Sequence, residues 1–205
     1  LLTENDLDMP DMLGAKAMCS PPPRDTAAQA ALWQGIEDGT VDVFNSDHAP
    51  YRFDAEGKLK AGPNPSFRAV ANGIPGLETR MPILFSEGVM KGRIDLPRFV
   101  ALTATNNAKL YGLAPRKGTI AIGADADIAV WDPEKRVTIE NHMLHHNVDY
   151  TPFEGLEVQG WPITVISRGD VIVDRGQLLA RPGRGRFLAQ ETSFAWKTRE
   201  ITAWI

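Results

Sequence analysis

Cysteine occurs once in the chain, at position 19. That excludes an intrachain disulfide framework and a thiolate zinc cluster, and it suits a reducing cytoplasm, the compartment expected here. No apolar run is long enough to span a bilayer, so no membrane is an expected partner. A basic excess is missing too. With 22 Lys and Arg against 26 Asp and Glu the formal charge is −4, and nucleic acid is not an expected partner either. The sequence carries no internal repeat, no low-complexity tract and no signal-peptide pattern. It opens on Leu-Leu-Thr-Glu-Asn-Asp without an initiator Met, and is expected to begin inside a longer protein. What is present, 43% hydrophobic and 23% charged residues over 205, is ordinary for a globular chain.

The most informative stretch is Val41-Asp42-Val43-Phe44-Asn45-Ser46-Asp47-His48-Ala49-Pro50. Val41, Val43 and Phe44 have the near-continuous apolar character of a strand buried on both faces of a parallel sheet. Pro50 cannot donate to a ladder and ends it. Asp47 then falls at the carboxyl end of the strand, where α/β folds place their chemistry. A carboxylate there can ligate a metal, take a proton from bound water, or do both. The same residue also fits a turn-forming aspartate that caps the next segment.

Around it, Ala15–Ser20 is expected as a short strand halted by Pro21-Pro22-Pro23. Asp25 opens a helix whose Ala28, Leu32 and Ile36 share a face, and Gly39 closes it. Strand, helix, strand is the βαβ pattern of a parallel sheet. Tyr51–Pro65 is expected as a mobile loop, Glu78–Val89 as a helix, and Asp95 and Asn106 as the starts of two more. From Arg116 the pattern turns to β: strands over 117–123, 126–131 and 136–139, a polar connection with His142, His145 and His146, then 163–167 and 171–174 across a turn at Arg168-Gly169-Asp170, and a short strand at 178–180. Two architectures in one chain are expected.

Ser20, Asp47 and Asn72-Gly73 would all face one end of the sheet. Taken singly, Ser20 before a proline run could satisfy its own backbone, and Asn-Gly is a common turn pair. His48 follows Asp47, but strand neighbours point to opposite faces, so a structural or supporting role is assigned to it. The three later histidines come without a nearby Glu in sequence and fit a solvated loop. Cys19 fits a buried small hydrophobe.

These residues carry a resemblance. Cys19-Ser20-Pro21-Pro22-Pro23-Arg24, Ser46-Asp47-His48-Ala49-Pro50, Asn72-Gly73-Ile74-Pro75-Gly76-Leu77-Glu78, Pro115-Arg116-Lys117-Gly118, Gly123-Ala124-Asp125-Ala126-Asp127 and Asn147-Val148-Asp149-Tyr150-Thr151-Pro152-Phe153-Glu154-Gly155 resemble, in order and spacing, the dihydropyrimidinase/D-hydantoinase family of the cyclic amidohydrolases. The Ser-Asp-His motif alone is shared with dihydroorotases and allantoinases.

The resemblance implies an α/β fold: the C-terminal part of a metal-dependent (β/α)8 barrel over 1–114, strands of a small β-sandwich over 115–188 and a tail over 189–205. A barrel by itself takes ~250 residues, so one chain of this length cannot hold it whole. The implied activity is hydrolysis of the cyclic amide bond of hydantoins or dihydropyrimidines to N-carbamoyl amino acids by two divalent metal ions, usually zinc. Of the ligands only the aspartate has a counterpart here, Asp47, as metal ligand and proton shuttle; the histidines and the bridging carboxylated lysine are expected outside this chain. Backbone groups at Ser20 and Asn72 are implied to bind the imide edge of a small cyclic amide substrate. The isolated 205 residues are therefore expected to be inactive. The family also implies a homo-oligomer, tetramer or dimer, and the aromatic tail with Phe194, Trp196, Ile201, Trp204 and Ile205 is expected to dock on a neighbouring subunit. The alternatives are a dihydroorotase or allantoinase, or a non-catalytic dihydropyrimidinase-like assembly protein. Those assembly proteins lose the aspartate at the position of Asp47, which this chain keeps.

Overall fold

Helix α1 (Thr26–Asp38) begins where the sequence says it should: Asp25 Oδ1 accepts the Ala28 N–H at 2.8 Å, and Gly39 ends it at φ 93°. Its apolar stripe is only half used. Ile36 is buried, whereas Leu32 is 64% exposed.

The computed structural model describes residues 1–191, which fall into two units. The first comprises Leu1–Val41, Asn45–Leu84 and Arg136–Val158; the second comprises Asp42–Phe44, Phe85–Lys135 and the chain from Gln159 on. The tail aromatics from Phe194 to Ile205 lie outside the described residues.

In the first unit two expected strands do not form. Residues 13–17 wind into a 3-10 turn (Leu13–Ala17), with Ala15 N–H on the Met12 carbonyl at 2.9 Å and Met18 N–H on that of Ala15 at 3.2 Å. Gly14 is required there, since a β-carbon would stand 1.9 Å from the Leu7 carbonyl oxygen. Residues 41–50 make no strand ladder; Val41 N–H reaches the Gly35 carbonyl and Ala49 N–H that of Ile74. β-Branched residues favour a sheet only where a neighbouring strand accepts and donates, and among the described residues none does so here. The 51–65 stretch is not an open loop either. It is a series of tight turns closed around Lys58, which is fully buried. Helix α2 (Arg80–Leu84) follows, and Ile83, Leu84, Ile139, Tyr150 and Val158 fill the unit's apolar interior.

In the second unit, Asp95 Oδ1 caps α3 (Leu96–Val100) by accepting from Arg98 N–H at 2.8 Å. The two helices expected from Asp95 and Asn106 are one continuous rod: α3, a wide π turn (Ala101–Thr105), then α4 (Asn106–Leu110). Asn107 Nδ2 donates to the Leu102 carbonyl at 2.7 Å, five residues back, which fits the π spacing. A second π segment (Phe85–Met90) carries Phe85, which stacks on Trp131 at 4.7 Å between centroids while Phe99 meets both rings edge-on at 5.4 and 5.6 Å. Such pairs add about 0.5–1.5 kcal/mol each beyond the area they bury.

The four-stranded sheet runs β1 (Ile128–Thr138), β2 (Glu157–Ser167), β3 (Asp170–Asp174), β4 (Gln177–Leu178), in chain order, and the β2–β3 and β3–β4 pairs are antiparallel. The expected strands over 126–131 and 136–139 are a single β1. Both tight turns are built alike: Arg168-Gly169 (φ 49° and 83°) and Arg175-Gly176 (φ 45° and 82°) have the paired positive φ values of a type I′ hairpin. The strand expected over 117–123 is absent, and Ile120 and Ile122 are exposed. That segment is held instead by charge. Lys117 Nζ reaches Asp125 at 2.8 Å and also Asp127, and Arg116 reaches Asp125 at 3.0 Å. The Lys117 hydrogen bond holds the Asp125 carboxyl below the usual carboxylate range. No described helix is long and apolar enough to cross a membrane.

Candidate active site

Three segments flagged in the sequence meet inside the first unit. Asn72 Nδ2 donates to Ser20 Oγ at 2.5 Å, and the Gly73 N–H donates to the Met18 carbonyl at 3.0 Å. The Asp47 segment joins the same group through the bond from Ala49 N–H to the Ile74 carbonyl at 3.2 Å. Ser20 and Asn72 are both exposed, so this junction lies at the surface of the unit.

Asp47 has φ 41°, in the left-handed region that few non-glycine residues adopt. The chain has thus turned at Asp47, and the alternation that would hold His48 on the opposite face no longer applies. His48 points back along the segment: its Nδ1 accepts the N–H groups of Gly76 at 3.1 Å and Leu77 at 3.2 Å. An accepting Nδ1 places the proton of the neutral ring on Nε2. His48 therefore ties the segment that bears Asp47 to the turn after Asn72. The Asp47 carboxylate is exposed and makes no hydrogen bond or ion pair among the described residues. It is close enough to Cys19 for its charge, after burial itself, to raise the thiol's pKa, against a lowering by Lys58. Cys19 is accordingly a thiol, not a thiolate nucleophile.

A second group adjoins His48. His146 meets its ring edge-on at 6.4 Å, and both His146 ring nitrogens are shielded without a partner among the described residues. Burial and the neighbouring His48 lower its pKa, while Glu78 opposes. Glu78 holds His145 twice, accepting its backbone N–H at 2.8 Å and lying 3.0 Å from its Nδ1. The solvated-loop expectation thus describes His142 and His145, whose side chains are 78% and 83% exposed, but not His146. In the Asn147–Tyr150 segment, Asp149 Oδ1 accepts the Phe53 N–H at 2.8 Å, and the Tyr150 ring packs edge-on against Phe53 beneath Lys16.

Sequence reasoning did not single out Lys58 or the His48–His146 contact. The Asp-His motif was the only signal for the second, and nothing in the sequence around Lys58 marked the first.

Asp47 supplies one good oxygen ligand for a divalent cation. Among the described residues no group of three or more His, Cys, Asp and Glu could hold an ion. The residues present thus fit one corner of a metal site, and further ligands would have to come from beyond them.

Residues 25–172 match the amidohydrolase family, and the chain belongs to it. Its similarity is to the hydantoinases in particular. It is 45% identical over 186 residues to the D-hydantoinase of Rhizobium radiobacter and 42% identical over 191 residues to the D-phenylhydantoinase of Escherichia coli O1:K1, covering 91% and 93% of this chain and 40% of each of those proteins. The crystal structure of dihydropyrimidinase from Brevibacillus agri NCHU1002 superposes with a TM-score of 0.90 at 44% identity, over 94% of this chain and 41% of that one. The described fold is thus part of the hydantoinase fold, and the chain spans about two fifths of the length of these relatives.

Proposed function

We propose that the whole protein hydrolyses the cyclic amide bond of hydantoins or dihydropyrimidines, releasing N-carbamoyl amino acids. The observation that carries this reading is the junction itself: an unpaired, exposed Asp47 on a turned backbone, joined through Ala49 and His48 to the segment of Asn72, which in turn bonds to Ser20. The similarity to D-hydantoinases and a dihydropyrimidinase supports it.

Within this reading residues 1–114 are the C-terminal part of a (β/α)8 barrel and residues 115–188 supply β-sandwich strands. Two divalent metal ions, zinc by preference, supply when bound an activated water and polarisation of the scissile carbonyl. Asp47 would hold one of them. Its carboxylate takes the proton of the attacking water as the C–O bond forms, and passes it to the ring nitrogen as the C–N bond breaks. Backbone groups of Ser20 and Asn72 hold the imide edge of the ring flat against the site, so that attack falls on one carbonyl. The active assembly is a homo-oligomer, tetramer or dimer, working in the cytoplasm.

The test is turnover by the whole protein of hydantoin, dihydrouracil, dihydroorotate and allantoin, with metal content measured on the same sample. Ring opening of the first two is expected. Exclusive opening of dihydroorotate or allantoin, or no turnover with no bound metal, refutes the proposal.

A further inference from the structure

Lys58 sits in a stretch of glycines and charges, where a lysine ordinarily points at water. It is instead wholly shielded, and its Nζ donates to two backbone carbonyls, Met18 at 3.0 Å and Ala71 at 2.9 Å. Met18 lies two residues before Ser20, and Ala71 immediately precedes Asn72. The Met18 oxygen also takes the Gly73 N–H at 3.0 Å, so one carbonyl joins all three segments.

A buried ammonium is costly unless its hydrogens are used. Filling space at this point requires only an apolar chain of similar length. What Lys58 adds is two donors at the end of a long stem, directed at carbonyls that come from opposite sides. Burial pushes its pKa down to about 8, with Cys19 opposing. The neutral amine still has two N–H groups, so the two bonds survive deprotonation. Gly57 supports the arrangement: a β-carbon there would lie 2.0 Å from the Arg52 carbonyl oxygen, which accepts the Lys58 N–H at 2.8 Å.

We infer that Lys58 is a positioning residue, a buried tie between the Met18 and Ala71 carbonyls that sets the spacing of the Ser20 and Asn72 backbones and so the width of the slot for the substrate's imide edge. The inference rests on the proposed role of those two backbones, and it acts on ring binding, not on proton transfer at Asp47.

The experiment uses Lys58→Met, Lys58→Arg and Lys58→Gln in the whole protein, with hydrogen exchange, steady-state kinetics on hydantoin and dihydrouracil, and metal analysis. In Lys58→Met the amides over residues 18–20 and 71–73 should exchange about 10-fold faster, the effect of one hydrogen bond of ordinary net strength, with α1 unchanged. KM should rise by a similar factor, about 10-fold, while kcat and metal content stay near wild type. Lys58→Arg, which keeps two donors, should recover part of both. Unchanged exchange overturns the tie, and faster exchange with unchanged KM overturns its link to the ring. If wild-type protein opens neither ring, the functional reading fails and the exchange result still decides the tie. Should Lys58→Met not fold, Lys58→Gln against Lys58→Arg is read by the same criteria.

Discussion

A β-carbon on Gly73 would stand 2.4 Å from the Ala49 carbonyl oxygen and 2.6 Å from the Ala49 β-carbon. Gly73, at φ 153°, is thus where the Asp47 segment and the Asn72 segment touch backbone to backbone. No side chain fits between them, and the neighbouring bond from Ala49 N–H to the Ile74 carbonyl depends on that approach.

Gly73→Ala should accordingly push the two segments apart. Stability should fall by at least ~1–3 kcal/mol, the range for a residue forced into a poorly populated conformation. Thermal unfolding of the whole protein measures it, and a midpoint equal to wild type would show that the contact yields freely.

Asp47→Ala should reduce ring opening by ~100- to 10,000-fold, the usual contribution of a positioned acid or base, and should lower bound metal as well. Steady-state turnover and metal content on one sample decide it. A mutant with near wild-type turnover removes Asp47 from the mechanism.

The buried Lys58 predicts a pH dependence. Its pKa is about 8 in the fold against 10.5 as the ordinary value, so between these the unfolded chain holds more protons and stability rises with pH. Cys19, whose pKa burial raises above 9.0, works the other way at higher pH, and so does the buried Tyr150. Denaturant midpoints should therefore rise from pH 8 to pH 9 in the wild type, and that rise should vanish in Lys58→Met. A rise of equal size in the mutant assigns it to another group.

Gly160 has φ 91°, and a β-carbon there would lie 2.2 Å from Phe85 Cδ1. Gly160→Ala should displace Phe85 from its stack on Trp131 at a cost of ~1–3 kcal/mol, typical of overpacking. Ala substitution with an unaltered unfolding midpoint contradicts this.

The local signals of the sequence were read correctly where they depend on near neighbours. Asp25 and Asp95 cap their helices, and Arg168-Gly169 makes its hairpin turn, because each needs only a few adjacent residues. The stretches 15–20, 41–47 and 117–123 have strand composition without a described strand. Composition reports what suits a sheet, while a ladder needs a partner whose position the local pattern does not encode. The resemblance picked out Ser20, Asp47 and Asn72 as a group, and the structure brings their segments together. Lys58 stayed hidden because lysine is so rarely buried that its sequence context argues for water.

The π turn at Ala101–Thr105 has a consequence for the chain's tolerance of length change. A π turn holds one more residue than the α turn it interrupts, so this rod already carries an extra residue between Val100 and Asn106. Deleting one residue there would let the rod close into regular α-helix, and would swing everything after it by about 100° around the axis. Ala108 would leave the buried position beside Gly118, and Asn106 would lose the Asp42 carbonyl to which its Nδ2 donates at 2.8 Å. Single-residue indels should therefore be poorly tolerated at 101–105 despite the irregular winding, whereas the open turn at Gly183, where an added β-carbon meets nothing within 4 Å, should accept them.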